Sequence, residues 1–319
     1  MIEYDQYHGY QHQYTETYAG LPVAHLSSEE RPSDPGAVAW RLCANEYGGD
    51  DPKTMAETFD LFFEQVDTAR VTAIVIGEWE DCYSTSSATI VERLAGSAAK
   101  LPALRSLFFG AISSDQAEIS WIQQSDITPL LEAFPRLERL EVRGGTGLAL
   151  QSVRHESLRM LRIESGGLPG EVVRAVAGCD LPALEHLDLW LGVDSYGGDS
   201  TAADLDGVLT GERLPALRHL GLQDSEIQDD IAAAVAFAPV VARLETLALS
   251  MGTLTDTGAE ALLSGQPLTH LRELDLHHHY LSDAMMKRVA AALPGVEVNL
   301  SEQERASGKD DWRYVAVSE

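Results

Sequence analysis

This chain of 319 residues has few cysteines, few basic side chains and no long apolar run. Cys43, Cys82 and Cys179 are too far apart for a metal or redox motif, so they are expected as reduced thiols in the interior. No stretch approaches the roughly 18 apolar residues of a membrane span. The first eighteen residues, MIEYDQYHGYQHQYTETY, lack the basic and apolar regions of a secretion signal, so a cytoplasmic location is expected. Lysine and arginine number 23 against 50 aspartates and glutamates, a net charge of −27. Such a surface repels phosphate backbones, which argues against nucleic acid as a partner and favours a basic protein or peptide. G-x-S-x-G, H-E-x-x-H, C-x-x-C and the glycine-rich phosphate loop are all missing, and no enzymatic activity or cofactor is expected.

What the chain has is repetition. The stretch LPALRHLGL places Leu217, Leu220 and Leu222 in an L-x-x-L-x-L pattern. The same pattern recurs at Val71-Ile74-Ile76, Leu104-Leu107-Phe109, Leu137-Leu140-Val142, Leu158-Leu161-Ile163, Leu184-Leu187-Leu189, Leu244-Leu247-Leu249 and Leu271-Leu274-Leu276, with a shortened copy at Val296-Val298-Leu300. The L-x-L alternation predicts a short strand with one face buried. Between strands the apolar period becomes helical, as in DDIAAAVAFA from Asp229, TGAEALLSG from Thr257 and SDAMMKRVAAAL from Ser282. Proline follows at Pro102, Pro135, Pro182, Pro215 and Pro294, where it stops the helix and fixes the approach to the next strand. A strand and helix cannot bury their apolar sides alone, so the units are expected to stack with strands in parallel.

The pattern resembles the leucine-rich repeat superfamily, in particular its ribonuclease-inhibitor-like branch. YAGLPVAHL at Tyr18, AVAWRLCAN at Ala37, VDTARVTAIVIGEW at Val66 and the tail RYVAVSE at Arg313 are similar to an uncharacterised bacterial leucine-rich repeat family common in actinobacteria. The resemblance implies an α/β leucine-rich repeat solenoid, a horseshoe with parallel strands on the concave face and helices on the convex face. It also implies a protein partner, in a modification pathway. One departure is clear: the asparagine expected three residues after the last strand leucine is replaced by Trp79, Ile112, Gly145, Gly166, Gly192, Ser225, Gly252 and His279. The four glycines predict a tight turn there with positive φ.

The expected organisation is a disordered extension over residues 1–18, an N-terminal cap over 19–70, about nine repeats over 71–300 and a tail or cap over 301–319. In the cap, Met55, Phe59, Phe62, Phe63 and Val66 fall on one helical face. Tyr4, Tyr7, Tyr10, Tyr14 and Tyr18 have helical spacing, but polar neighbours and Gly9 argue for disorder. The tail is either loose or a strand folded back, using Trp312 and Tyr314 on one face or Val315 and Val317 on the other.

The expected function is protein binding on the concave face and on the rim of strand C-terminal ends. Phe108, Arg139, Glu141, Arg162, His186, Asp188 and His219 are the concave-face candidates, and Trp79, Trp121, Trp190 and Tyr196 the rim anchors. The alternative is an accessory subunit or an enzyme with a small-ligand or metal site in the rim loops. For the run His277 to His279, strand alternation leaves His277 on the side of Glu273 and Asp275, where a divalent site is conceivable and a solvated strand end is the simpler expectation.

Overall fold

A computed structural model describes residues 16–26, 32–44, 53–308 and 311–319, and the chain divides into two compact units. Tyr4, Tyr7, Tyr10 and Tyr14, and most of the expected extension, lie outside the described residues. The first unit runs to Ala149 and includes residues 155–158; the second comprises residues 150–154 and 159–319.

The first unit contains β1 (Thr17–Tyr18), β2 (Leu21–His25), β3 (Ala39–Leu42), α1 (Met55–Gln65), β4 (Ala73–Ile76), α2 (Ala88–Gly96), β5 (Ser106–Phe109), α3 (Thr128–Ala133) and β6 (Arg139–Arg143). After the antiparallel β1/β2 pair its strands are parallel and follow chain order. Trp40, Ile74, Leu107 and Leu140 stand opposite one another, so β3, in the expected cap, continues the register of the repeats. α1 begins at Thr54 with a reciprocal capping box to Glu57 and buries Met55, Phe59 and Phe62.

The second unit contains β7 (Met160–Glu164), α4 (Gly170–Gly178), β8 (His186–Gly192), α5 (Asp206–Thr210), β9 (His219–Ser225), α6 (Gln228–Val235), β10 (Thr246–Ala248), α7 (Asp256–Ser264), β11 (Glu273–Asp275), α8 (Asp283–Ala292) and β12 (Glu297–Asn299). All its strand pairs are parallel, with Leu161, Leu187, Leu220, Leu247, Leu274 and Val298 in one row. These side chains, except the partly exposed Val298, are buried with Leu189, Leu222, Leu249 and Leu276. Both units are therefore α/β with repeat-like strand, loop and helix segments.

The leucine-proline steps before β5, β8, β9 and β12 each form a turn in which the amide three residues on bonds back to the leucine carbonyl: Leu104 to Leu101 at 3.1 Å, Leu184 to Leu181 at 3.1 Å, Leu217 to Leu214 at 3.1 Å and Val296 to Leu293 at 3.2 Å. Proline at the second position presets the φ that this turn needs.

Three helix starts of the second unit, those of α4, α7 and α8, are tied across repeats by aspartates. Asp229 accepts the amides of Thr255 (2.8 Å) and Gly258 (3.0 Å) at the start of α7, and Asp256 accepts the Ser282 amide (2.8 Å) at the start of α8. In the opposite direction, Asp199 accepts the Gly170 amide at 2.6 Å at the start of α4.

The expected left-handed turn at the four glycines needs correction. Gly192 has φ 69°, but Gly145, Gly166 and Gly252 do not have positive φ. In the later repeats the left-handed residue lies one position earlier, at Asp224, Met251, His278 and Glu302. Gly252 is needed for space: a Cβ there would sit 2.3 Å from Gln228 Oε1 and 2.6 Å from the Ser225 carbonyl.

Residues 311–319 do not extend the sheet. They run back across the strand ends, with the Tyr314 amide on Tyr280 Oη (2.8 Å), the Ala316 amide on the Met251 carbonyl (2.7 Å) and the Val317 amide on Asp224 Oδ1 (2.9 Å). Val315 and Val317 form the buried face, and Trp312 and Tyr314 are exposed.

Candidate functional site

Strand alternation turns the residues between the leucines to the second face of each sheet. In the second unit the register sets Met160, His186, His219 and Thr246 in one row, with Arg162, Asp188, Gly221 and Ala248 in the next. A cluster forms around Asp188. Its Oδ2 accepts from Arg162 Nη2 at 3.1 Å and lies 2.5 Å from His186 Nε2. Its Oδ1 lies 2.9 Å from His219 Nε2 and accepts from Gln223 Nε2 at 3.0 Å. The two imidazoles stack with centroids 3.8 Å apart and planes within 2°. Thr246 Oγ1 lies 2.5 Å from His219 Nδ1, and the Ser250 hydroxyl donates to Gln223 Oε1 at 2.8 Å.

Gly221 makes this arrangement possible, since a Cβ there would meet Asp188 Oδ1 at 1.8 Å. The carboxylate occupies the space over β9 where another repeat would place a side chain. Arg162, His186, Asp188, Gln223, Thr246 and Ser250 are buried, while His219 is partly exposed.

A buried carboxylate without donors would cost several kcal/mol. Burial alone would raise the Asp188 pKa, but the adjacent His186 and His219 outweigh it and hold the group well below its usual range. Burial pushes His186 down to about 4, with repulsion from His219 in the same direction and attraction to Asp188 against it. The Arg162 guanidinium, 3.1 Å from Oδ2, is a further counter-charge to Asp188.

The first unit has a different second face. Tyr18, delivered by the β1/β2 pair, packs with Ala39, Ala73, Val75, Phe108 and Ala111, its ring centroid 6.0 Å from that of Phe108. Arg139 and Glu141 form a buried ion pair at 2.6 Å, with the guanidinium 5.1 Å from the Tyr18 ring centre. Phe108 is thus covered by the chain's own Tyr18.

The rim anchors fall into two groups. Trp79 is buried with its indole donating to the Thr85 carbonyl at 2.8 Å, and Trp190 is buried as well. Tyr196 is half-buried and donates to the Glu319 carboxylate. Trp121, in contrast, is 55% exposed, and Tyr83 on the neighbouring loop is 57% exposed. The two loops are tied by the Gln123 amide on the Cys82 carbonyl at 2.8 Å.

The run at 277–279 is engaged internally: His277 Nδ1 lies 2.9 Å from Asp275, His278 Nε2 lies 3.0 Å from the Tyr314 carbonyl, and His279 accepts the Leu281 amide at 3.1 Å. Cys43, Cys82 and Cys179 are buried and not joined in disulfides. Among the described residues no helix is long and apolar enough to cross a membrane.

Sequence reading named His186, Asp188 and His219 singly and missed that they converge. The signal was present as H-x-D in one strand and a histidine at the matching position of the next, since His186 and His219 pair in register.

No family model and no curated protein matches the chain. A crystal structure of a Bacteroides fragilis protein from a structural-genomics consortium superposes with a TM-score of 0.73 at 30% identity, covering 82% of this chain and 72% of the other. The chain belongs to that protein's family. The family resemblance extends over most of the chain, well beyond a single repeat.

Proposed function

We propose that this protein is a leucine-rich repeat solenoid of the ribonuclease-inhibitor type that docks a basic protein or peptide on the rim loops of its first unit. The observation that carries this reading is the exposure of Tyr83 (57%) and Trp121 (55%) on two loops bonded to each other. Large aromatic side chains on a supported loop lose little entropy on binding and commonly anchor interfaces. Glu78, Asp81, Asp115 and Glu118 lie on the same two loops, and the whole chain carries −27, so a basic partner is steered toward them. The other proposed contact face is less suited: Phe108, Arg139 and Glu141 are engaged with Tyr18 and one another. The mechanism is stoichiometric docking, with no chemical step.

The test is a pull-down from native lysate with the full chain and with the Tyr83→Ala/Trp121→Ala variant, read by mass spectrometry. A basic protein retained by the wild type at low salt, and weakened about 30-fold or more by the double substitution, supports the reading. Equal retention by both proteins refutes it. The second reading, an enzyme or accessory subunit with a metal or small-ligand site, is favoured by the cluster around Asp188.

A further inference from the structure

We propose that His186, Asp188 and His219 bind one divalent transition-metal ion of borderline softness, zinc being the representative. Their Nε2 and carboxylate atoms all lie within 4.8 Å of one another, and they come from adjacent strands held in register. Around a zinc ion, with ligand bonds of about 2.0 to 2.2 Å, donor atoms sit roughly 3 to 3.5 Å apart. The existing contacts of 2.5 Å and 2.9 Å from the imidazoles to Asp188 must open, and because the two rings lie parallel with centroids 3.8 Å apart, the partly exposed His219 ring must tilt out of the stack for both Nε2 lone pairs to meet on one ion.

The ion would take the place of the two Nε2 protons that now face the carboxylate. The surrounding shell would stay in place. Arg162 Nη2 remains 3.1 Å from Asp188 Oδ2 and Gln223 Nε2 3.0 Å from Oδ1, each using a lone pair the ion does not need. Thr246 Oγ1, 2.5 Å from His219 Nδ1, can accept a hydrogen bond from a proton on Nδ1, the tautomer that leaves the Nε2 lone pair free for the ion.

The chemistry of the donor set decides the class of ion. Two imidazoles and one carboxylate suit zinc and its first-row neighbours. Calcium and magnesium need mainly oxygen ligands, of which this set offers a single carboxylate. Three protein ligands leave at least one coordination position for water or a ligand. Entry is through His219, the partly exposed member of the three. This proposal is independent of the docking surface, which lies on the loops of the other unit.

The test uses the full chain, stripped with a chelator and titrated with zinc by calorimetry and elemental analysis. One ion per chain is expected, bound at micromolar concentration or tighter. His186→Ala and His219→Ala should each weaken it at least 100-fold, and His277→Ala should leave it unchanged. X-ray absorption of the zinc-loaded wild type should count two imidazoles, a readout that does not depend on the variants folding. No stoichiometric zinc in the wild type, equal uptake by the His186→Ala/His219→Ala variant with its fold intact, or a spectrum with sulfur ligands or without imidazole would overturn the proposal.

Discussion

His155 and His279 show how single buried residues set the response to acid. His155 Nδ1 accepts the Leu158 amide at 3.0 Å and its Nε2 lies 3.1 Å from the Phe134 carbonyl; His279 Nδ1 accepts the Leu281 amide at 3.1 Å and its Nε2 lies 3.2 Å from the Leu300 carbonyl. Both rings are therefore neutral with the proton on Nε2, and burial lowers both pKa values from the ordinary 6.5. Because the folded values lie below the unfolded ones, the unfolded chain takes up the proton first. The stability these rings contribute is present above about pH 6.5 and falls as pH drops toward the folded values. Thermal unfolding at pH 7.5 and 5.5 should show a lower midpoint at 5.5. His155→Asn and His279→Asn, whose amide oxygen can replace the Nδ1 acceptor without titrating, should each narrow the gap; an unchanged gap would mean that other groups carry it.

At the scale of elements, the aspartate ties between repeats make a sharper prediction than helix propensity does. Replacing Asp229 by Ala leaves the Thr255 and Gly258 amides without their acceptor and should cost about 1 to 2 kcal/mol in urea unfolding. The exposed Asp230, one residue along the same helix, should tolerate Ala with a change below about 0.5 kcal/mol. These elements differ in how far they could be read in advance. The strands were legible because L-x-x-L-x-L fixes both period and face, and the leucine-proline turns because proline presets φ. The turn leaving the strand was not, since its left-handed residues, Asp224, Met251, His278 and Glu302, are not glycines and share no side-chain type. The Asp188 cluster depended on register between strands 33 residues apart at His186 and His219, a property of pairing that one strand's pattern does not contain. Trp79 and Trp121 were indistinguishable as loop tryptophans; which one is buried depends on the fold of each loop.

At the scale of the whole molecule, the terminal segment matters for the second unit. Residues 314–319 satisfy a carbonyl at Met251, a carboxylate at Asp224 and hydroxyls at Tyr280 and Tyr196, and they bury Val315 and Val317. A chain lacking residues 313–319 should lose about 2 to 4 kcal/mol, from two buried valines and the orphaned polar groups, read as a lower urea midpoint. Hydrogen exchange should speed up at the ends of β9 and β10 in that variant; unchanged protection there would show that the segment contributes nothing to the strand ends.

The aspartate ties also have a direction. Asp199, after β8, reaches back to α4, whereas Asp229, after β9, reaches forward to α7 and Asp256 onward to α8. Caps thus radiate from the pair β8 and β9, the two seven-residue strands. A helix whose cap comes from a neighbour closes its first turn at lower cost once that neighbour is in place. The second unit should therefore assemble outward from β8 and β9 in both directions, with its slowest-exchanging amides at this centre and its earliest fraying at α8.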